Sequence, residues 1–83
     1  MLTTNIEPIQ FEGKTATQIV TRVDFYDMQA QRCNLFFKAA NDEDGAYYVE
    51  TWQVPESVLE NWGTDDMVLV QALADDKGFT IIN

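Results

Sequence analysis

Residues 32–54 read RCNLFFKAANDEDGAYYVETWQV, from Arg32 to Val54, and their pattern decides the fold. Apolar or aromatic residues alternate with polar ones on both sides of a polar break, the period-two signature of strands with two unlike faces. The break, Asn41-Asp42-Glu43-Asp44-Gly45, combines four polar residues with a glycine, which is the chemistry of a hairpin turn. One strand is therefore expected from Arg32 to Ala40 and the next from Ala46 to Val54.

Toward the N-terminus, Thr15 to Tyr26 is rich in Thr, Val, Ile and aromatics and reads as another strand. Ile9-Gln10-Phe11 follows Pro8 and has the alternation of a short edge strand, ending at Glu12-Gly13-Lys14, where glycine permits a tight turn. Residues 27–31 read as a connection or a bulged continuation. Residues 1–5 carry no pattern and are expected to be loose.

Beyond Val54 the character of the chain changes. Pro55 suits a first helical position, Glu56 puts negative charge at the positive end of the dipole, and Gly63 is placed to cap the C-terminus, so a short helix is expected over Pro55–Trp62. Thr64 can cap a second helix with Asp65 and Asp66 in its first turn and Lys77-Gly78 at its end. Met67-Val68-Leu69-Val70 is also β-friendly, and Asp75-Asp76-Lys77-Gly78 can turn a hairpin; agreement of the cap signals at both ends favours the helix. Phe79 to Ile82 reads as a closing strand in either case. The expected fold is a single α+β domain over residues 1–83: an antiparallel β-meander of three to four strands, then two short helices packed on one face and a C-terminal strand.

Neighbouring residues of a strand point to opposite faces, so the pairs Phe25-Tyr26, Phe36-Phe37 and Tyr47-Tyr48 are each expected to put one ring on each side. One face collects Ile19, Val23, Phe25, Cys33, Leu35, Phe37 and Ala39 and is the expected core. The other collects Val20, Arg22, Asp24, Tyr26, Asn34, Phe36 and Lys38, joined by Tyr47 and Val49 or by Tyr48, Glu50, Trp52 and Val54 according to the register of the third strand. Rings interleaved with Arg and polar groups are enriched in protein interfaces. Arg22, Tyr26, Phe36, Lys38, Tyr48 and Trp52 are therefore the candidate interface.

Composition narrows the function classes. A chain of 83 residues has room for one core, and its 46% hydrophobic and 23% charged residues are those of a folding sequence. Fourteen acidic residues against five basic ones give a formal charge of -9, which repels phosphate backbones and anionic lipid. No direct nucleic-acid or membrane partner is expected. No apolar run approaches the roughly 20 residues of a membrane span and the first residues lack a signal-peptide pattern, so a cytoplasmic location is expected. Cys33 is the single cysteine, which rules out an internal disulfide, and its setting in Cys33-Asn34-Leu35-Phe36-Phe37 suggests a buried, inert thiol.

Catalytic constellations are hard to assemble from this composition. With no histidine, the Ser-His-Asp and Cys-His arrangements and the usual zinc sites are excluded. Ser57, the single serine, has no basic neighbour and suits a helix start. Asp65-Asp66 and Asp75-Asp76 are the adjacent carboxylate pairs, but they flank a helix in a chain too small for a deep sugar cleft. Asp42-Glu43-Asp44-Gly45 lacks the span and closing glutamate of a calcium loop, and no phosphate-binding glycine spacing occurs. Neither an enzyme nor a cofactor is expected.

The run Val54-Pro55-Glu56-Ser57-Val58-Leu59-Glu60-Asn61-Trp62-Gly63-Thr64-Asp65-Asp66 resembles a stretch of small proteins encoded by bacteriophages and prophages, in which a Pro-led helix runs into Trp-Gly-x-Asp-Asp and a further helix. The resemblance implies a phage accessory or virion component and a structural Trp62-Gly63 corner. The leading expectation is thus a non-enzymatic structural or interaction module that assembles with itself or another protein through the mixed face. The alternative is an acidic inhibitor that presents Asp42, Glu43, Asp44, Asp65, Asp66, Asp75 and Asp76 to a basic protein in imitation of a nucleic acid. A small antitoxin or regulatory subunit is a third reading.

Overall fold

The computed structural model describes residues 2–27, 29, 32–62 and 65–82, the side chain of Phe25 excepted. Four strands, β1 (Leu2–Phe11), β2 (Lys14–Asp27), β3 (Arg32–Asn41) and β4 (Gly45–Gln53), form one antiparallel sheet in chain order, followed by α1 (Glu56–Asn61) and α2 (Met67–Lys77). The chain is α+β.

Local chemistry explains the turns. Phe11 pairs with Lys14 across a two-residue loop whose residues, Glu12 and Gly13, both have positive φ (52° and 85°). That is the hairpin geometry whose twist matches the flanking strands, and it favours glycine. Between β3 and β4, the Asn41 side-chain oxygen accepts the Asp44 backbone N–H at 2.6 Å, and Gly45 takes the left-handed conformation. Asn41 Nδ2 also donates to the Thr15 carbonyl at 2.8 Å, and Lys14 meets Asp44 at 3.3 Å, which clips the two hairpins together.

Residues 2–5, expected to be loose, begin β1 and pair with 18–21 of β2. β1 is ten residues long rather than the expected three, because it continues through an irregularity between Asn5 and Ile9 that absorbs Pro8. A proline lacks the N–H that a ladder needs, and a bulge is where a sheet tolerates it. There the strand turns to the C-terminal segment: Ile6 bridges Ile81, Glu7 N–H donates to the Thr80 carbonyl at 2.8 Å, and Ile82 N–H to the Asn5 carbonyl at 3.1 Å. Phe79–Ile82 closes the sheet through this short contact.

The segment 65–77, where helix and hairpin competed, is helical from Met67 onward. α2 ends on Gly78 at φ 83°, whose N–H and that of Phe79 both reach the Ala74 carbonyl at 2.8 Å. Asp65 supplies the start by accepting the Met67 N–H at 2.9 Å. The expected caps Gly63 and Thr64 lie outside the described residues, as do Met28, Ala30 and Gln31 of the connection.

One core joins these elements. Ile19, Cys33, Leu35, Phe37 and Ala39 are buried with Ile6, Trp52 and Val54 against Leu69, Val70, Leu73 and Ala74 of α2 and against Phe79. Phe37 sits among rings, with centroids 6.3 Å from Phe11, 6.2 Å from Tyr48 and 6.5 Å from Phe79. α1 has no fully buried residue and leans on the cluster through Val58 and Leu59.

Candidate functional site

Cross-strand partners share a face, so the register assigns each side chain to a side. Ile19 opposes Ala39, Thr21 opposes Phe37, and Leu35 opposes Trp52, all facing α2. The other side receives Gln18, Val20 and Arg22 of β2, Asn34, Phe36 and Lys38 of β3, and Val49, Thr51 and Gln53 of β4. Thr51 and Gln53 are exposed, Val49 keeps 55% of its surface in contact with solvent, and the Arg22 side chain 48%.

Phe36 is the centre of this face. It is half-buried and lies directly across from Arg22, whose guanidinium carbon is 4.8 Å from the ring centroid; the Lys38 ammonium is 5.9 Å from the same centroid. A cation over an exposed ring contributes about 0.5–1 kcal/mol, so the two charges favour the ring but remain free to extend from it. Asp24 reaches Arg22 at 3.7 Å in a weak, solvent-screened pair.

Three expected interface residues lie elsewhere. Tyr48 and Trp52 belong to the helix side: the Tyr48 ring is 5.1 Å from Phe11 and its hydroxyl donates to Glu50 at 2.8 Å, while Trp52 is 9% exposed and donates its indole N–H to Asp76 at 3.0 Å. Tyr26 opposes Cys33 rather than a neighbour of Phe36, and its ring meets Trp62 edge-on at 4.9 Å.

The cause is a pair of bulges. Val23 opposes Leu35 and Phe25 opposes Asn34, so Asp24 is an extra residue, and every later side chain of β2 changes face. Tyr47 is the corresponding extra residue between the pairs Ala39/Tyr48 and Ala40/Ala46. Its hydroxyl donates to the Phe11 carbonyl at 2.9 Å. Strict alternation therefore holds through Phe36-Phe37 but not through Tyr47-Tyr48, and Phe25, expected in the core, has its side chain outside the described residues. Val49, Thr51 and Gln53 take the places assigned to Tyr48 and Trp52. Arg32, which shares the parity of Asn34 and Phe36 and is exposed, went unread as a member of this face although the alternation of β3 contained it.

The seven candidate acidic residues are spread over three segments of the chain. Asp42, Glu43 and Asp44 occupy the β3–β4 turn, Asp65 and Asp66 precede α2, and Asp75 and Asp76 end it. Five of the seven have structural partners: Lys14 for Asp44, the Met67 N–H for Asp65, Trp62 for Asp66, Gln71 for Asp75 and Trp52 for Asp76.

Electrostatic shifts fall on the helix side. Glu50 accepts from Lys77 at 2.9 Å and from Tyr48; the Lys77 hydrogen bond, then that of Tyr48, holds its carboxyl below the usual range, with burial opposing. The hydrogen bond to Glu50 raises the Tyr48 phenol, and burial raises Tyr47. Burial, followed by the charge of Asp66, raises the Cys33 thiol, as suits an inert cysteine.

Among the described residues no group of three or more His, Cys, Asp or Glu side chains is placed to hold a metal ion, and no helix is long and apolar enough to cross a membrane. What the Arg22–Phe36–Lys38 unit offers is a flat ring for apolar contact flanked by two donors for carboxylates. No protein-family model matches the chain, and no curated protein or solved structure shows significant similarity to it.

Proposed function

We propose that the chain is a non-enzymatic interaction module that assembles through the sheet face carrying Arg22, Phe36 and Lys38. The observation that carries this reading is a segregation of charge. Of the five basic residues, Lys14 and Lys77 are consumed by Asp44 and Glu50, while Arg22, Arg32 and Lys38 share the parity of the Phe36 face. Asp24 and Asp27 are the acidic residues of the strands that accompany them; the rest lie in the turns, the β1 irregularity, the helices and, for Glu50, on the helix side. In a chain of charge -9, a face that is cationic around a ring is the place to meet another protein.

Burial of Phe36 supplies the contact, and Arg22 and Lys38 set its register through charge pairs. The resemblance of residues 54–66 to phage-encoded proteins supports reading such assembly as part of a virus particle or its accessory machinery. The split placement of the acidic residues gives the inhibitor reading less support.

Phe36→Asp tests the proposal. The variant is expected to retain the wild-type circular dichroism spectrum and to scatter light as a single 9.5 kDa chain where the wild type forms a larger species. A variant with the parent's mass, or a wild type that stays single at millimolar concentration, overturns it.

A further inference from the structure

α1 and α2 leave a groove of about 590 Å³ between them, several times the volume of one aromatic side chain. Val58, Met67, Val68 and Ala72 form its apolar lining, all half-buried, and Asp65, before α2, and Asp75, near the end of α2, also line it. No basic residue lines it: α1 contains none, and Lys77 of α2 is turned to Glu50. Among the described residues Met67 and Ala72 pack against the core cluster whereas Val68, half-buried, does not.

This groove is the chemical converse of the Phe36 face. One surface is a ring with a cation at 4.8 Å and another at 5.9 Å; the other is an apolar trough lined by two carboxylates. Asp65 lies just before α2 and Asp75 eight residues beyond its first residue, about 12 Å along the axis at the helical rise, so Arg22 and Lys38, both close to the Phe36 ring, reach the two carboxylates by extending their flexible stems. Each carboxylate uses one oxygen internally, Asp65 for Met67 and Asp75 for Gln71, and has a second to offer.

We propose that the occupant of the groove is Phe36 of a second copy of this chain, with Arg22 and Lys38 of that copy meeting Asp65 and Asp75. The proposal rests on the interaction reading above and names its partner. Charge decides between the possible self-pairings. Two Phe36 faces brought together oppose cation to cation, and two grooves oppose carboxylate to carboxylate, each a repulsive arrangement. Face to groove is the attractive one. Because face and groove lie on opposite sides of the sheet, a copy that docks by its face keeps its groove free. The contact is heterologous and repeats, giving an open stack instead of a closed dimer.

A mixing experiment tests this. Arg22→Glu with Phe36→Asp disables the face and leaves the groove; Val68→Lys disables the groove and leaves the face. Wild-type mass by light scattering is expected to rise with concentration past that of a dimer, each variant alone is expected to remain at 9.5 kDa, and an equal mixture is expected to give a one-to-one heterodimer of twice that mass. Asp75→Lys, at a helix end where a cation suits the dipole, gives a second groove variant that keeps the fold if Val68→Lys does not, and it is expected to weaken association about tenfold or more. If the face variant dissociates but both groove variants assemble like wild type, the groove is not the partner surface and the interaction reading survives without it. If the face variant itself keeps the wild-type mass, the interaction reading fails as well. Mixtures that remain single chains, or a wild type that stops at a dimer, also overturn the head-to-groove stack.

Discussion

Phe36 and Phe37 are neighbours in the chain and differ in almost everything else. Phe37 is fully buried, inside a group of rings contributed by β1, β4 and the C-terminal segment. Phe36 is half-buried, and the groups that approach it are two cations. A single step along a strand thus separates a residue that holds the fold from one available to a partner. The same side chain is core on one face and half-exposed beside two cations on the other, where the proposed assembly would use it, and the face decides which.

Truncation breaks this comparison most directly. Phe37→Ala is expected to lower unfolding free energy by about 3–5 kcal/mol, the range for emptying a buried aromatic site, in chemical denaturation. Phe36→Ala is expected to change it by less than about 1 kcal/mol while weakening assembly. Equal losses at the two positions would abolish the distinction.

The polar groups of the two faces separate next, through pH. Glu50 on the helix side has its folded-state pKa depressed by Lys77 and Tyr48. A depressed carboxylate contributes stability that is present above its unfolded value, about 4.3, and is lost as pH falls through the lower folded value. Thermal midpoints are expected to drop below roughly pH 4.3, and Glu50→Gln is expected to flatten that part of the acid limb. Breaking the half-exposed Arg22–Asp24 pair with Asp24→Asn is expected to cost at most about 1 kcal/mol in denaturant titrations at neutral pH.

The smallest effect concerns Thr4, whose hydroxyl is buried on the helix side opposite Ile19 without a hydrogen-bond partner among the described residues. Thr4→Val keeps the shape and removes that burden. A gain of about 1 kcal/mol is expected in denaturant titrations, with assembly unaffected.

Much of this division was legible in the residues. The alternation of 32–40 assigned Cys33, Leu35, Phe37 and Ala39 to the core and Phe36 and Lys38 to the far side, because β3 has no extra residue of its own. The turn at 41–45 and the end of α2 at Gly78 followed from side chains whose conformational preferences are strong. The misread residues all lie where period two is interrupted. Asp24 and Tyr47 carry no compositional mark of a bulge, and one such residue moves every later side chain to the other face, which is why Tyr26, Tyr48 and Trp52 were misplaced. β1 was hidden for a different reason. Thr3, Thr4 and Asn5 resemble a polar tail, and only pairing with β2 and the contact of Ile6 with Ile81 reveal them as a strand.

The single thiol sets the character of anything the copies build. Cys33 is shut away between sheet and helix, and its sulfur holds its proton more firmly than a free cysteine would. With its sulfur buried, Cys33 is out of reach of a neighbouring chain's thiol while the fold is intact, and no disulfide joins two folded copies. The stack proposed above would then be held by noncovalent contacts alone, lengthening as it is concentrated and coming apart on dilution.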